Sequence, residues 1–257
     1  MDPKEFMALL TELVKLDAHW VPEEEGNSLY IRPVVFGLDP TLPLGPINTV
    51  KMMIITCPVG PYYPSGFKPV KLLADDKNVR AFIGGVGASK VGGNYAPSIA
   101  PAMEAQKHGC AQVLWLYPEH GEHWITEVGA MNLFVALKTE CGTKTELVTA
   151  PLDGTVLPGV TRRSVLEIAR KFPDFVVSER RMAMSELVSA SKEGRLLECF
   201  GAGTAAVIAP VNSIMYKGDS YDFPTGSDIG PIAKRVWDTI LDIQYGKVEH
   251  PWSVIAN

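Results

Sequence analysis

The chain has 257 residues, of which 46% are hydrophobic and 21% charged, the usage of a globular protein with its own core and not of a disordered or fibrous one. The net charge of −5 is spread along the chain without a basic block, which argues against a nucleic-acid groove or a polybasic membrane patch. Cys57, Cys110, Cys141 and Cys199 lie far apart with no CxxC pair, and no apolar run reaches the roughly 20 residues of a membrane span, so we expect neither a disulfide framework, a cysteine zinc site nor a transmembrane helix.

The chain begins MDPKEF, acidic from its second residue, so neither a signal peptide nor an Arg-rich transit peptide is visible. The expected compartment is the reducing cytoplasm, with the mitochondrion as the alternative if a leader precedes Met1. Asp2 followed by Pro3 is an N-cap with proline at the first helical position, and Phe6, Leu9, Leu10 and Leu13 recur at helical spacing, which predicts a helix to about residue 15. Two β-rich runs follow, at 28–36 and 50–57, and read as partners in one sheet. Pro58, Pro61, Pro64, Ser65 and Gly66 form the densest cluster of chain breakers, and we place a domain boundary there, giving a segment 1–66 and a segment 67–257.

Beyond it strands and helices interleave without an internal repeat. Strands are predicted at 79–84 and 111–117, flanking a helix over 97–108 that Gly109 closes. Residues 124–128 and 132–138 read as a hairpin about Gly129, with a third strand at 146–149. An apolar stripe of Val165, Ile168, Ala169 and Phe172 marks a helix that starts near Thr161. A short helix at 185–190, strands at 197–200, 207–208 and 213–217, and an amphipathic closing helix at 229–245 complete the pattern. The fold class is mixed α/β, its strands too closely spaced for a purely parallel sheet.

Four stretches carry chemistry. Residues 84–97, GGVGASKVGGNYAP, hold five glycines and a single lysine, Lys90, between an expected strand and a helix. The glycines let backbone approach a ligand, and Lys90 reads either as a solvated side chain on a flexible loop or as a desolvated amine suited to Schiff-base chemistry, in which only the neutral amine attacks a carbonyl. LPGVT at 157–161 opens a helix whose free backbone N–H groups make an anion site, or a plain N-cap. GAGTAA at 201–206 matches G-x-G-x-x-A, but a dinucleotide fold needs a helix next, and Val207 and Ile208 favour strand. In EHGEHWITE at 119–127 only Glu127 reads as buried, and a buried carboxylate needs a cationic partner; His120 and His123 read as residues of a solvated turn more readily than as metal ligands.

Taken together these residues resemble a known family. Lys90 in KVGGNYA, Glu127 in ITEVGAMNLF, LPGVTRR at 157–163 and GAGTA at 201–205 occur in the order and spacing of the branched-chain amino acid aminotransferases, pyridoxal-phosphate enzymes of fold type IV, the fold shared with D-amino acid aminotransferase. SLYIRP at 28–33, VGPYY at 59–63, VLWLY at 113–117 and DIQYG at 242–246 are similar as well, so the resemblance extends over nearly the whole chain. It implies a complete large cofactor domain over 67–257 and the back half of a small α/β domain over 1–66.

The resemblance also implies a role for each residue. Lys90 would form the internal aldimine with pyridoxal 5′-phosphate and move the proton between Cα and C4′. Tyr95 would bond the cofactor O3′, and Glu127 would keep the pyridine nitrogen protonated. Gly159, Val160, Thr161 and Thr204 would hold the phosphate. Thr204 and Ala205 would receive the substrate α-carboxylate with Tyr30, while Arg32 would meet the side-chain carboxylate of glutamate and Tyr62 would wall the pocket. The implied reaction exchanges the amino group of leucine, isoleucine or valine with 2-oxoglutarate, in a homodimer without nucleic acid, membrane or metal.

Two departures from the family bear on this. Its members begin with the front half of the small domain, which supplies an arginine to the cofactor phosphate, and some animal members carry a CxxC where this chain has Ala206 and Ala209. A non-catalytic partner of a full-length subunit, another fold type IV activity (a D-amino acid transaminase or a lyase) and a dinucleotide oxidoreductase are the competing expectations.

Overall fold

The computed structural model describes residues 2–256 except 25, 41, 43–44, 61 and 63–66. The boundary expected at 66, and Pro61 and Tyr63 of the VGPYY motif, therefore lie outside the described residues. The chain divides into two compact units, Met1–Pro64 with His250–Asn257, and Ser65–Glu249.

In the first unit α1 spans Pro3–Leu16, and the Asp2 carboxylate accepts from Lys4 N–H at 2.7 Å, the cap that the Asp-Pro pair predicts. β1 (Ser28–Gly37) and β2 (Val50–Val59) pair antiparallel without a register shift, from Ser28 opposite Val59 to Gly37 opposite Val50. Asp39 closes their connection by accepting from Asn48 and Thr49 N–H at 2.7 and 2.8 Å. The Thr56 hydroxyl bonds Asp17, which fastens β2 to the end of α1.

The second unit carries β3 (Val70–Asp75), α2 (Ile99–Lys107), β4 (Gln112–Glu119), β5 (Glu122–Val128), β6 (Met131–Lys138), β7 (Thr145–Thr149), α3 (Val160–Ala169), β8 (Phe175–Glu179), α4 (Met184–Lys192), β9 (Leu196–Gly203), β10 (Val207–Tyr216), β11 (Asp219–Asp222) and α5 (Pro231–Gln244). Its nine strands form one mixed sheet, with β10, β3 and β4 parallel to one another and β5, β6 and β9 joined antiparallel. Because β9 pairs with both β6 and β10, the path β3-β4-β5-β6-β9-β10 closes on itself, and β7, β8 and β11 extend it outside the ring. Closure leaves these six strands no free edge to protect. Phe134 and Phe200 lie opposite each other on β6 and β9 and stack at 5.3 Å, fully buried, in a core with Leu72, Leu114, Ile208 and Ile214.

Several elements differ from the expectation. Residues 79–84 form no strand and run as an irregular segment into a turn at Ile83, and the strand lies earlier, at Val70–Asp75. Asp75 stops it, since one carboxylate oxygen accepts from Lys77 and Asn78 N–H at 2.8 Å each, and Gly84 then takes the left-handed conformation at φ +81°. The separate strands read at 207–208 and 213–217 are one strand, β10, which runs through Pro210 opposite Phe200 and shifts register against β3 between Val211 and Ser213. β8 and β11 were not expected from the local pattern.

Glu198 performs a long-range capping role. Its buried carboxylate accepts from Ile232 and Ala233 N–H at 2.8 and 2.9 Å, satisfying orphan donors of α5 that no side chain of the helix itself caps. Gly230 leaves room for it, because a Cβ there would fall 2.0 Å from the Glu198 carboxyl carbon. Replacing Glu198 with alanine is expected to cost about 2 kcal/mol and lower the thermal unfolding midpoint by several degrees, as followed by circular dichroism.

Candidate active site

Strand pairing and hydrogen bonds tie together the segments of the second unit that carry the expected site residues. The hairpin of β5 and β6 turns at Gly129 (φ +53°) and pairs Glu127 with Asn132. Asn132 pairs on its other side with Ala202, so the β9–β10 turn carrying Thr204 and Ala205 sits beside the Glu127 hairpin. Thr204 and Ala205 are exposed in that turn, and Val207 leaves it at φ +57°, a strained backbone for a β-branched residue that the following pair, Ile208 with Ala202, holds in place.

Glu127 is 2% exposed and fully engaged on one oxygen. Oε1 accepts from Asn132 Nδ2 at 2.8 Å and Leu157 N–H at 3.0 Å, and Oε2 pairs with Arg80 Nε at 2.7 Å. Burial pushes its pKa from 4.5 up to about 7, against the charge of Arg80, the Leu157 N–H and the charges of Lys90 and Arg162. The cationic partner that the sequence demanded of this carboxylate is thus present within the chain, and it is Arg80, which no motif singled out.

Leu157 belongs to the segment that leads into α3. Asn132 Nδ2 also donates to its carbonyl at 2.8 Å, which fixes the start of the helix beside Glu127. α3 begins after Gly159 with no side-chain cap, so its first N–H groups, at Val160 and Thr161, remain donors for an anion. Val160 is exposed, Thr161 half-buried, and Arg162 turns inward to Ala150 O and Glu179 at 2.8 and 2.9 Å. A Cβ at Gly159 would lie 2.2 Å from Asn132 Oδ1, so a side chain there must displace the Asn132 amide. Gly159→Ala is therefore expected to push Asn132 off Glu127 and destabilise the fold by about 1–3 kcal/mol, read from the thermal unfolding midpoint.

The lysine loop is pinned by a residue that the sequence reading did not single out. Asn94 is buried and donates through Nδ2 to Val86 O and Ser89 O at 2.7 and 2.8 Å, folding 86–94 into a closed loop that presents Lys90. Lys90 Nζ lies 3.0 Å from the Tyr95 hydroxyl and 4.9 Å from its ring centroid. Lys90 is exposed, so the loop by itself does not provide the dry surroundings that its glycines led us to consider; small residues leave few atoms to enclose an amine. Tyr30, Arg32 and Tyr62 belong to the first unit, where the Arg32 guanidinium sits 5.0 Å over the Tyr30 ring. His123 Nδ1 meets the Tyr216 hydroxyl at 2.7 Å while Glu127 turns to Arg80, so residues 119–127 do not converge on one point. A strand, β10, follows GAGTAA where a dinucleotide fold needs a helix. Among the described residues no helix is long and apolar enough to cross a membrane.

Of the three residues that hold this arrangement together, Asn132 was legible by counting pairs outward from Gly129, and Asn94 stands inside the GGNY motif. Arg80 had no local signal.

Residues 1–214 match the family model described as amino-transferase class IV. The chain is 50% identical over 252 residues to the branched-chain-amino-acid aminotransferase of Dictyostelium discoideum, covering 97% of this chain and 65% of that protein, just under two thirds of the relative's length. In structure it is similar to the branched-chain amino acid aminotransferase of Escherichia coli, with a TM-score of 0.80 at 25% identity over all of this chain and 77% of the other. It is likewise similar to the T.th. branched-chain amino acid aminotransferase crystallised with pyridoxamine 5′-phosphate, with a TM-score of 0.77 at 25% identity, again over all of this chain and 77% of the other.

Proposed function

We propose, from the premise that the chain belongs to the amino-transferase class IV family, that it transfers the amino group of leucine, isoleucine or valine to 2-oxoglutarate using pyridoxal 5′-phosphate held on Lys90. The observation that supports this reading is that an exposed lysine amine, a phenol 3.0 Å from it, a buried carboxylate and an uncapped helix start lie on segments tied together by the bonds of Arg80, Asn132 and Leu157. Each group fits one part of the cofactor: an amine for the aldehyde, a phenol for O3′, a carboxylate with acceptor capacity left for the ring nitrogen, and free N–H groups for the phosphate. When bound, pyridoxal 5′-phosphate supplies an electron sink for the charge that develops at the substrate Cα.

The chain's own residues do the rest. Lys90 holds the cofactor between turnovers and, once displaced, carries the proton that leaves Cα. Tyr95 orients O3′, and Glu127 accepts from the protonated ring nitrogen. Gly159, Val160, Thr161 and Thr204 bind the phosphate, and the Thr204–Ala205 turn receives the substrate α-carboxylate; Tyr30, in the first unit, is given to substrate binding by the family resemblance alone. Tyr62 and the aliphatic part of Arg32 cover a branched side chain, whereas the Arg32 guanidinium meets the second carboxylate of glutamate; apolar burial and a charge-assisted bond thus admit both substrates. In this reading residues 67–257 form the large cofactor domain and residues 1–66 the back half of a small α/β domain, and two copies associate as a homodimer.

The test is direct. With added pyridoxal 5′-phosphate and 2-oxoglutarate, L-leucine, L-isoleucine and L-valine should each yield glutamate and the matching 2-oxo acid, while the D-enantiomers yield none. Turnover of D-amino acids alone, or of none of these substrates, would overturn the proposal.

A further inference from the structure

We propose that Arg80 is a positioning residue: its guanidinium ties the Lys90 loop, the segment ahead of α3 and the Glu127 carboxylate into one unit and keeps Glu127 an acceptor for the cofactor ring nitrogen. The inference rests on the reading of the site given above. A carboxylate offers about four lone-pair sites. Oε1 of Glu127 uses two of them, on Asn132 and Leu157, while among the described residues Oε2 accepts from Arg80 Nε alone, so the remaining capacity lies on the oxygen that Arg80 holds.

The same guanidinium reaches both loops of the site. Arg80 Nη1 donates to Thr155 O at 3.0 Å, on the segment leading to α3, and to Gly87 O at 3.4 Å, three residues before Lys90. The two loops touch there, since a Cβ on Gly87 would stand 2.5 Å from Gly154 O. Three cations act on Glu127: Arg80, Lys90 and Arg162. Lys90 is the group given to the cofactor, and Arg162 directs Nη2 to Ala150 O and Glu179. Arg80, in the ion pair with side chains 4% and 2% exposed, is the one in direct contact. A lysine at this position would keep the charge but lose the fork that serves a carboxylate and two carbonyls together.

Arg80→Gln and Arg80→Lys test this with the full chain loaded with pyridoxal 5′-phosphate. In Arg80→Gln, Glu127 should hold its proton to higher pH, so the acidic limb of the kcat/KM profile moves alkaline and activity at neutral pH falls on the order of 100-fold, recovering as pH rises. Arg80→Lys should leave the limb near its wild-type place and lose about tenfold at all pH values. Without cofactor, the fall in melting temperature with rising pH should extend further alkaline in Arg80→Gln than in the wild type, a readout that needs no turnover. Equal losses in both variants with an unmoved limb and an unmoved melting profile would reduce Arg80 to a structural residue and overturn the inference. If the wild type forms no imine absorption with pyridoxal 5′-phosphate, the reading of the site falls instead.

Discussion

Lys90→Ala is expected to abolish transamination, with a loss on the order of 10⁵- to 10⁶-fold, the scale at which removing a covalent group leaves only binding and orientation. Alanine offers no amine to hold the cofactor and none to carry the Cα proton. Folding should be spared, because the loop is closed by Asn94 through the carbonyls of Val86 and Ser89 and not by the lysine side chain, which is exposed. A change within about 0.5 kcal/mol of the wild-type stability is expected. Two measurements separate chemistry from folding: thermal melting of both proteins, and borohydride reduction followed by peptide mapping, which should place a pyridoxyl group on the Lys90 peptide of the wild type alone. A wild-type adduct on another lysine, or activity surviving in Lys90→Ala, would refute the assignment.

Glu127→Gln is expected to cut kcat by about 10³-fold, within the usual range for a lost acid–base partner. Glutamine offers the ring nitrogen a neutral acceptor or a donor, and neither holds the proton that makes the ring an electron sink. The same residue gives the cofactor-free protein a pH signature. Burial raises the Glu127 carboxyl from 4.5 to about 7, so the folded chain binds this proton more tightly than the unfolded one. Its contribution to stability is therefore full below pH 4.5 and is lost as pH rises through about 7. The glutamine variant has no such slope. It also leaves Arg80 without its counter-ion, so the comparison is of slopes across that window, by melting temperature, and the expected difference is at most a few kcal/mol, since one pKa unit is about 1.4 kcal/mol. Identical slopes would show that Glu127 is ionised throughout.

Much of the architecture is written in short stretches. Asp2 and Pro3 set the start of α1, Gly129 the β5–β6 hairpin, Gly109 the end of α2, and the apolar stripe from Val165 to Phe172 the course of α3. These are local matters: a cap, a left-handed residue or a helical period is decided within a few positions of chain. The strand misplaced at 79–84 shows the limit of such reading. VRAFIG has the composition of a strand, yet Asp75 ends the sheet segment early and Arg80 leaves the surface to meet a carboxylate on β5. Pro210 shows the converse, a breaker tolerated inside β10 because pairing with β3 begins only at Val211, so on that side no ladder bond is asked of it.

By itself the amino-acid order picked out Lys90, Tyr95 and Glu127 as candidates and set the glycine turns, because each belongs to a motif whose residues are neighbours. Only tertiary structure decided that the six strands close through β9, that Glu198 caps α5, and that Glu127 finds its cation in Arg80. Such choices depend on the path the chain takes between distant positions: an ion pair or a strand pairing is selected by burial and geometry after the backbone has been placed, and neither leaves a trace in the residues immediately beside it.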